Sequence, residues 1–245
     1  MPLIDAHVHL PDYADPLKTI SGFQGMCLFS CTVRAAQAES NLRLQQKANG
    51  SVKCFFGVHP SDVSEELPSA QLSSLVSGCD GIGEVGLDPK YSDAGPRSMQ
   101  MSAFLDQLAM AETLGKPVQI HSRGAEQICL DSLSTFRLPS VLMHWFEGEE
   151  RPLELAVSRG YYFSFGPALL YSKKMMRIAE RVPRERLLTE SDGPVPFNPL
   201  GGASGPNLIA SVLFRLAELR GLSFEEAERL VDTNARAYLG AERLI

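Results

Sequence analysis

Cysteines are few in this 245-residue sequence, and their spacing does not indicate a disulfide framework. The five cysteines are an odd number and include no CxxC pair, and Cys27 and Cys31 stand in an apolar run. Buried free thiols are therefore expected. The sequence also lacks an apolar stretch of the ~18 residues that cross a membrane, and it lacks the basic start of a secretory signal. We expect a soluble cytoplasmic protein without a membrane partner.

Basic residues are fewer than acidic ones. The chain has 23 Lys and Arg and 29 Asp and Glu, so its net charge is −6. Proteins that bind nucleic acid through a wide basic face have the opposite balance. A phosphate substrate would have to be held by metal ions and a few local cations. The composition therefore argues against tight, sequence-independent binding of DNA, although it does not exclude a nuclease.

Short apolar or β-rich runs recur along the chain, and segments with a helical pattern separate most of them. The runs cover residues 3–9, 25–32, 52–59, 81–87, 117–121, 140–144, 161–165 and 187–192. Helices are predicted over 34–49, 100–115 and 173–181, where apolar residues recur at helical spacing. Alternating strands and helices indicate βαβ units, and eight such strands predict a single (β/α)₈ TIM barrel over residues 1–245.

The last part of the chain is expected to close the barrel. Residues 193–206 hold four Gly and four Pro, so a loop should follow the eighth strand. From Asn207 onward the pattern is helical, and it includes a helix over 225–232 with Ser223 as its N-cap. Segment 12–22, which contains Pro16, gives the weakest of the helical predictions.

Every histidine stands at or beside the carboxyl end of a predicted strand, and two acidic residues do the same. The set is His7 and His9 in the first strand, His59 in the third, Glu84 in the fourth, His121 in the fifth, His144 in the sixth and Asp192 in the eighth. The carboxyl ends of all strands meet on one face of a parallel barrel, where active sites lie. We therefore expect these residues to converge on one site, although they are far apart in the sequence.

The pair His7 and His9 indicates a metal site. One residue separates them, so the alternation of a strand directs both side chains to the same face. Two neighbouring imidazoles would repel if protonated, and a divalent cation removes that conflict. Imidazole and carboxylate ligands suit Zn, Mn, Fe, Co or Ni, and a larger carboxylate share favours Mg. The alternative, core histidines bonded to backbone carbonyls, does not explain why all of them end strands.

Two carboxylates complete the predicted donor set. Glu84 lies between Gly83 and Gly86, glycines that allow close packing in a crowded barrel, and its two oxygens could bridge two cations. Asp192 could both bind a metal ion and accept a proton from bound water. Glu190 is interpreted as a structural partner. The sequence thus predicts metal ligands at His7, His9, Glu84, His121, His144 and Asp192.

Short motifs occur in order along the chain and carry a resemblance to a known family. They are IDAHVHL at 4–10, GVHP at 57–60, GEVGLD at 83–88, PVQIHSR at 117–123, HWFEG at 144–148, RLLTESDGP at 186–194 and TNA at 233–235. Over essentially the whole chain, this sequence resembles the TatD-type metal-dependent deoxyribonucleases of the amidohydrolase superfamily.

The resemblance implies two divalent metal ions, with Zn, Mn and Mg as the candidates. One ion would be held by His7, His9, Glu84 and Asp192, and the other by Glu84, His121 and His144. The implied activity is hydrolysis of phosphodiesters, most simply 3′→5′ cleavage at DNA ends by a hydroxide that the two ions activate. Asp192 would be the catalytic residue that orients the water and takes its proton.

Three further residues are candidates for substrate binding. Arg123 could hold a phosphate with its guanidinium fork, or it could pair with Glu126 at the start of a helix. His59 could line the substrate pocket or fix the turn that follows it. Trp145 could stack on a base or narrow the pocket. Weaker candidates for the pocket rim are Lys90 and Tyr91.

Two other functions remain open at this stage. A lactonase or amidohydrolase acting on a small carbonyl substrate would use the same donors, and the loop after Asp192 lacks the cation often found in the resembled family. A non-catalytic scaffold is the second alternative, but it would have no use for six intact ligands.

Overall fold

Eight parallel strands, each paired with the next along the chain, form the centre of the molecule. The computed structural model describes residues 1–63, 74–94, 97–197, 199 and 201–244. The strands are β1 (Leu3–Val8), β2 (Met26–Cys31), β3 (Val52–Phe56), β4 (Gly81–Gly86), β5 (Val118–His121), β6 (Val141–Met143), β7 (Tyr162–Phe165) and β8 (Leu187–Thr189). The last strand returns to the first, because the Thr189 hydroxyl donates to the Ile4 carbonyl at 2.5 Å. The predicted TIM barrel is therefore confirmed.

Helices form the outer layer between the strands. They are α1 (Pro16–Gly22), α2 (Ala38–Lys47), α3 (Arg97–Leu114), α4 (Glu126–Leu133), α5 (Glu150–Ser158), α6 (Lys173–Arg181), α7 (Ile209–Arg220) and α8 (Phe224–Leu239). The prediction for residues 173–181 is confirmed to the residue, whereas α3 begins three residues before the predicted start at 100. None of the helices in the described part of the chain has the length and apolar character needed for a membrane crossing.

Helix ends follow local capping chemistry. The Ser223 side chain accepts a hydrogen bond from the Glu226 N–H at 3.2 Å, and the Glu226 carboxylate accepts from the Ser223 N–H at 2.8 Å. This capping box confirms the predicted N-cap of α8, which continues seven residues past the predicted end at 232. The weakly predicted first helix begins only at Pro16, because the Asp15 side chain caps it there.

The strands stop earlier at their carboxyl ends than the apolar runs suggest. β1 ends at Val8, β3 at Phe56, and β8 at Thr189. His9, His59, His144 and Asp192 consequently lie just beyond their strands, on the segments that lead into the loops. All four still lie on the rim that the carboxyl ends of the strands share, so they remain on the face where the site was predicted.

The opposite end of the barrel is filled by aromatic rings. Tyr238 of α8 is fully buried, stacks 6.3 Å from Phe29 and 6.2 Å from Phe55, and donates its hydroxyl to the carbonyl of Val118 at 2.9 Å. Val118 is the first residue of β5, so α8 covers the amino-terminal end of the strands. All five cysteines are free and buried, as predicted.

Candidate metal centre

His7 and His9 project from β1 and its end into the barrel mouth with their Nε2 atoms 3.3 Å apart. The outer nitrogens have oxygen partners: His7 Nδ1 lies 2.6 Å from Gln119 Oε1, and His9 Nδ1 lies 3.3 Å from the Cys31 carbonyl. A hydrogen on each Nδ1 satisfies both contacts and leaves both Nε2 atoms as acceptors. Two lone pairs then face one another in a buried space, an arrangement that a cation between them would satisfy.

Glu84 lies at the centre of the cluster, and its two carboxylate oxygens face different imidazoles. Oε2 is 3.4 Å from His7 Nε2 and 3.5 Å from His9 Nε2. Oε1 is 2.6 Å from His121 Nδ1 and 3.7 Å from His144 Nε2. The Glu84 side chain is only 3% exposed, so water does not compete for these oxygens. This division of donors is what a carboxylate bridging two cations requires.

Asp192 is the carboxylate of the cluster that faces the pocket, since its side chain is 13% exposed. Its Oδ1 lies 3.2 Å from His9 Nε2, and its Oδ2 lies 3.9 Å from His144 Nε2. The backbone has φ 52°, in the left-handed region that Asp tolerates better than most residues. The Asp192 N–H donates to the His7 carbonyl at 2.9 Å, which fixes the turn beside β1.

Carboxylates also hold His144 and His121 from behind. Glu190 Oε2 lies 2.6 Å from His144 Nδ1, as expected of a structural partner, and Asp88 Oδ2 lies 2.8 Å from His121 Nε2. Histidines that bind metal ions usually donate their second N–H to such an acceptor, which orients the ring. Sequence reasoning missed Asp88, although its place two residues beyond β4, in the same motif as Glu84, was an available signal.

The pKa shifts differ across the cluster: His144 and His59 favour the neutral form that can bind a metal ion, whereas His121 and Glu84 favour their charged forms. Burial lowers the pKa of His144 to about 3, with a further contribution from His7, and burial lowers that of His59 to about 3. Burial also opposes protonation of His121, but the carboxylates of Glu84 and Asp88 outweigh it and raise its pKa to about 9. Burial would raise the pKa of Glu84, yet the surrounding imidazoles hold it well below its usual value. Nitrogen and carboxylate donors without thiolate fit a divalent ion such as Zn, Mn or Mg.

His59 lies closer to the donor cluster than the sequence indicated. Its Nε2 is 3.8 Å from Glu84 Oε1, and its ring centroid is 4.5 Å from that of His121. Its Nδ1 contacts the Ser61 hydroxyl at 2.7 Å, which orients the ring. The ligand atoms of His59, Glu84 and His121 all lie within 4.8 Å of one another. His59 is thus a further candidate donor beside Glu84 Oε1, near His121 and His144.

Arg123 pairs with Asp88 and not with Glu126, so the ion-pair alternative named the wrong partner. Its Nε and Nη2 both lie 2.7 Å from Asp88 Oδ2, and its guanidinium carbon lies 5.2 Å from the centre of the Tyr91 ring. The Glu126 carboxylate instead accepts from the Gly124 N–H at 3.3 Å. A guanidinium has five N–H groups, and the Arg123 side chain is 41% exposed, so part of it remains open to a ligand.

A cavity of about 480 Å³ opens above the donor cluster. His121, His144 and Asp192 lie on its lining, and so do the predicted substrate residues Arg123 and Trp145. His59 is buried and does not line this cavity in the described part of the chain, which separates it from the other two substrate candidates. The remaining lining combines a cation at Lys90, a carboxylate at Glu147, a hydroxyl at Ser122, the rings of Tyr171 and Phe197, and the apolar residues Val195, Pro196 and Pro199.

This chain is similar to known proteins over nearly its whole length. The model of the family described as TatD related DNase matches residues 4–240. Human deoxyribonuclease TATDN3 is 27% identical over 256 residues, which cover 95% of this chain and 93% of the relative. The metal-dependent hydrolase YabD of Bacillus subtilis is 30% identical over 193 residues, 74% of each chain. The crystal structure of YjjV, a TatD homologue from Escherichia coli, superposes with a TM-score of 0.88 at 24% identity and 98% coverage of both chains.

Proposed function

Because the chain belongs to the TatD-related DNase family and is a metal-dependent hydrolase, we propose that it hydrolyses phosphodiesters at DNA ends, most simply in the 3′→5′ direction. The observation that carries this proposal is the position of Glu84, whose two oxygens face separate sets of imidazoles. Paired divalent ions held in this way suit an in-line displacement at phosphorus, where both the attacking and the leaving oxygen need stabilisation.

The donor atoms divide between two ion positions. His7, His9, Glu84 and Asp192 would hold the first ion, and Glu84, His121 and His144 the second, with His59 as a further donor beside Glu84. When bound, Zn, Mn or Mg would supply Lewis acidity toward the phosphoryl oxygens and lower the pKa of water. Glu190 and Asp88 would keep His144 and His121 in the tautomers that present the inward nitrogen.

Asp192 is proposed as the catalytic residue. It is more exposed than Glu84, and its carboxylate lines the cavity, so water beside the substrate can reach it. Glu84 is held ionised by its imidazole neighbours and is enclosed by them, which suits a ligand and not a proton acceptor. Asp192 would therefore orient the attacking water and take its proton.

Substrate contacts are proposed for Arg123 and Trp145, which line the cavity from the loops after β5 and β6. Arg123 would hold the phosphate next to the one being cleaved, using the N–H groups that Asp88 leaves open. Trp145 would contact the terminal nucleoside. A cavity of about 480 Å³ cannot admit a stacked duplex, so single-stranded or frayed ends should be preferred.

A second candidate is hydrolysis of a lactone or amide. The observation that favours it is the scarcity of cations: in the described lining of the cavity, Lys90 and Arg123 are the basic side chains, and Arg123 already pairs with Asp88. Activated water attacks a carbonyl carbon as well as phosphorus, so the same donors would serve.

The deciding experiment compares substrates on the purified protein supplied with Mn, Mg or Zn. Labelled single-stranded and duplex oligonucleotides, a small chromogenic diester and a lactone are offered in parallel. We expect cleavage of the diesters, with single strands cleaved faster than duplex. An enzyme that opens the lactone and ignores every diester would exclude the nuclease and establish the carbonyl hydrolase.

Substitution of Arg123, which lines the cavity, tests the proposed contact with the substrate phosphate. Arg123→Met should raise KM on an oligonucleotide much more than on the small diester, because only the oligonucleotide has a second phosphate. Arg43→Met is a matched control, since Arg43 is also paired with a carboxylate, Glu39, but lies exposed on α2. Equal effects of Arg123→Met on both substrates would remove Arg123 from phosphate binding.

A further inference from the structure

The cavity above the donor cluster has two chemically different sectors. The loops after β4 and β5 contribute Lys90 and Arg123, which are cationic. The loops after β6, β7 and β8 contribute the aromatic residues Trp145, Tyr171 and Phe197, together with one carboxylate, the exposed Glu147. Because the strands follow one another around the barrel, each set occupies a continuous part of the rim. A ligand that fills the cavity therefore meets positive charge on one side, and on the other side ring faces and the single carboxylate of Glu147, which favours a base over a phosphate there.

Tyr171 is the most exposed ring of the aromatic sector. It is 53% exposed, whereas Phe197 behind it is 5% exposed. The two ring centroids are 5.7 Å apart with a 47° angle between the planes, so Phe197 supports Tyr171 from within. The Tyr171 N–H donates to the Ala168 carbonyl at 3.3 Å, which anchors the residue at the end of a short 3₁₀ turn. A supported aromatic ring left open at a cavity mouth is a typical ligand contact.

Trp145 has a different role in the same sector. Its ring is half-buried and packs over Gly166, and its backbone N–H donates to Glu190 at 3.1 Å while φ is 38°. The bulky residue is thus fixed in an unfavourable backbone region next to His144. Trp145 forms the inner limit of the aromatic sector, and Tyr171 is the ring with an accessible face.

We propose that the aromatic sector binds the base of the terminal nucleotide, with Tyr171 as the stacking platform, while the cationic sector binds the phosphate on the other side of the cleaved bond. This inference rests on the proposed nuclease function and adds the residue that recognises the substrate's end. Every base has a flat π face, so stacking on Tyr171 tolerates any sequence. The few cations and the net charge of −6 are then compatible with a nucleic acid substrate, because a stacked base contributes to binding without a cation.

The test uses two single-stranded oligonucleotides that differ only at their ends: both terminal nucleotides are either intact or abasic. The initial rate of the first cleavage gives kcat/KM for wild type, Tyr171→Ala and Tyr171→Phe with bound metal. Tyr171→Ala should lower kcat/KM on intact ends roughly 5- to 150-fold, which corresponds to about 1–3 kcal/mol of stacking, and should change it little on abasic ends. Tyr171→Phe should keep most of the activity, because it retains the ring.

Phe214→Ala is the matched control, since Phe214 is 56% exposed but lines a different surface groove beside α7. It should leave both rates unchanged. Equal losses of Tyr171→Ala on intact and abasic ends, or no loss on either, would overturn the stacking role and leave the nuclease function standing. A wild-type enzyme that cleaves neither oligonucleotide would overturn the nuclease proposal and this inference with it.

Discussion

Glu84 contacts more of the donor residues than any other side chain described for the cluster, and it is the proposed bridge between two ions. Glu84→Ala should therefore retain less metal than His144→Ala, because the glutamate would serve both ions and the histidine one. Elemental analysis of the two purified variants, after the same exposure to metal, measures the difference. Equal metal content in the two variants would show that Glu84 does not bridge.

Asp192 offers a substitution that separates metal binding from proton transfer. Asp192→Asn should keep most of the metal, because the amide oxygen still coordinates and because Asn also tolerates the left-handed backbone observed here. Turnover should fall by roughly two to four orders of magnitude, since the amide cannot accept a proton. Metal content and kcat are measured on the same preparation. Rates near those of wild type would transfer the proton-accepting role to another group, with Glu190 the first to examine.

Residue identity predicted the donor cluster better than it predicted the contacts behind it. His7, His9 and Glu84 were predictable because the carboxyl ends of parallel strands share one rim, where their inward-facing side chains converge. The partner of Arg123 was not predictable, because Asp88 and Glu126 are both within reach of the chain and the choice depends on side-chain direction. His59 was underestimated for the same reason, since its distance to Glu84 depends on how the loop after β3 turns.

At the scale of elements, β4 and β5 meet most closely where they carry Glu84 and His121. Gly86 is paired with His121 across the two strands, and its φ of 152° is one that side chains rarely adopt. A Cβ at this position would overlap the carbonyl oxygen of His121. Gly86→Ala must therefore separate the two strands and move both donors.

We expect Gly86→Ala to destabilise the protein by at least about 2 kcal/mol and to lower its metal content. Gly22→Ala is the control, because no atom lies within 4 Å of the position its Cβ would take at the end of α1. That variant should be neutral or stabilised by up to about 1 kcal/mol. Chemical denaturation and elemental analysis test both variants, and a Gly86→Ala protein as stable as the control would refute the close-approach argument.

The presence of the barrel strands was predictable from the sequence, whereas the residues at which the strands and helices end were not. The alternation of β-rich runs and helical periodicity defined every strand of the barrel and the full extent of α6. The apolar runs continued to His9, His59 and His144, yet β1, β3 and β6 stop before them, although the His144 N–H still donates to the Ile120 carbonyl of β5 at 3.2 Å. The end of α8 was placed too early because its capping box marks a beginning and contains no information about length.

At the scale of the whole molecule, the proposed ions should stabilise the folded state, because the donors come together only in the closed barrel. An ion present at 100 times its Kd adds about 2.7 kcal/mol, so removal of each ion with a chelator should lower Tm by roughly 5–10 °C for a domain of this size. We expect about two ions per chain in the metal-loaded protein. Thermal unfolding with and without chelator measures the shift.

Glu84→Ala serves as the control for that measurement, since its chelator-dependent shift should be much smaller than that of the wild type. Readdition of Zn or Mn after the chelator should restore Tm in the wild type. A wild-type protein that contains no metal after exposure to these ions, and whose Tm does not respond to chelator, would exclude the metal centre while leaving the barrel intact.

The hydrogen bond between Asp192, which lies three residues beyond β8, and His7 of β1 affects the order of folding events during synthesis. His7 and His9 leave the ribosome long before Asp192, which follows the eighth strand and whose N–H then donates to the His7 carbonyl. The complete donor set for the first ion therefore cannot exist in a nascent chain that is still short of its last strand. In this protein, the first ion would therefore bind with its full ligand set only after the barrel has closed with its eighth strand in place.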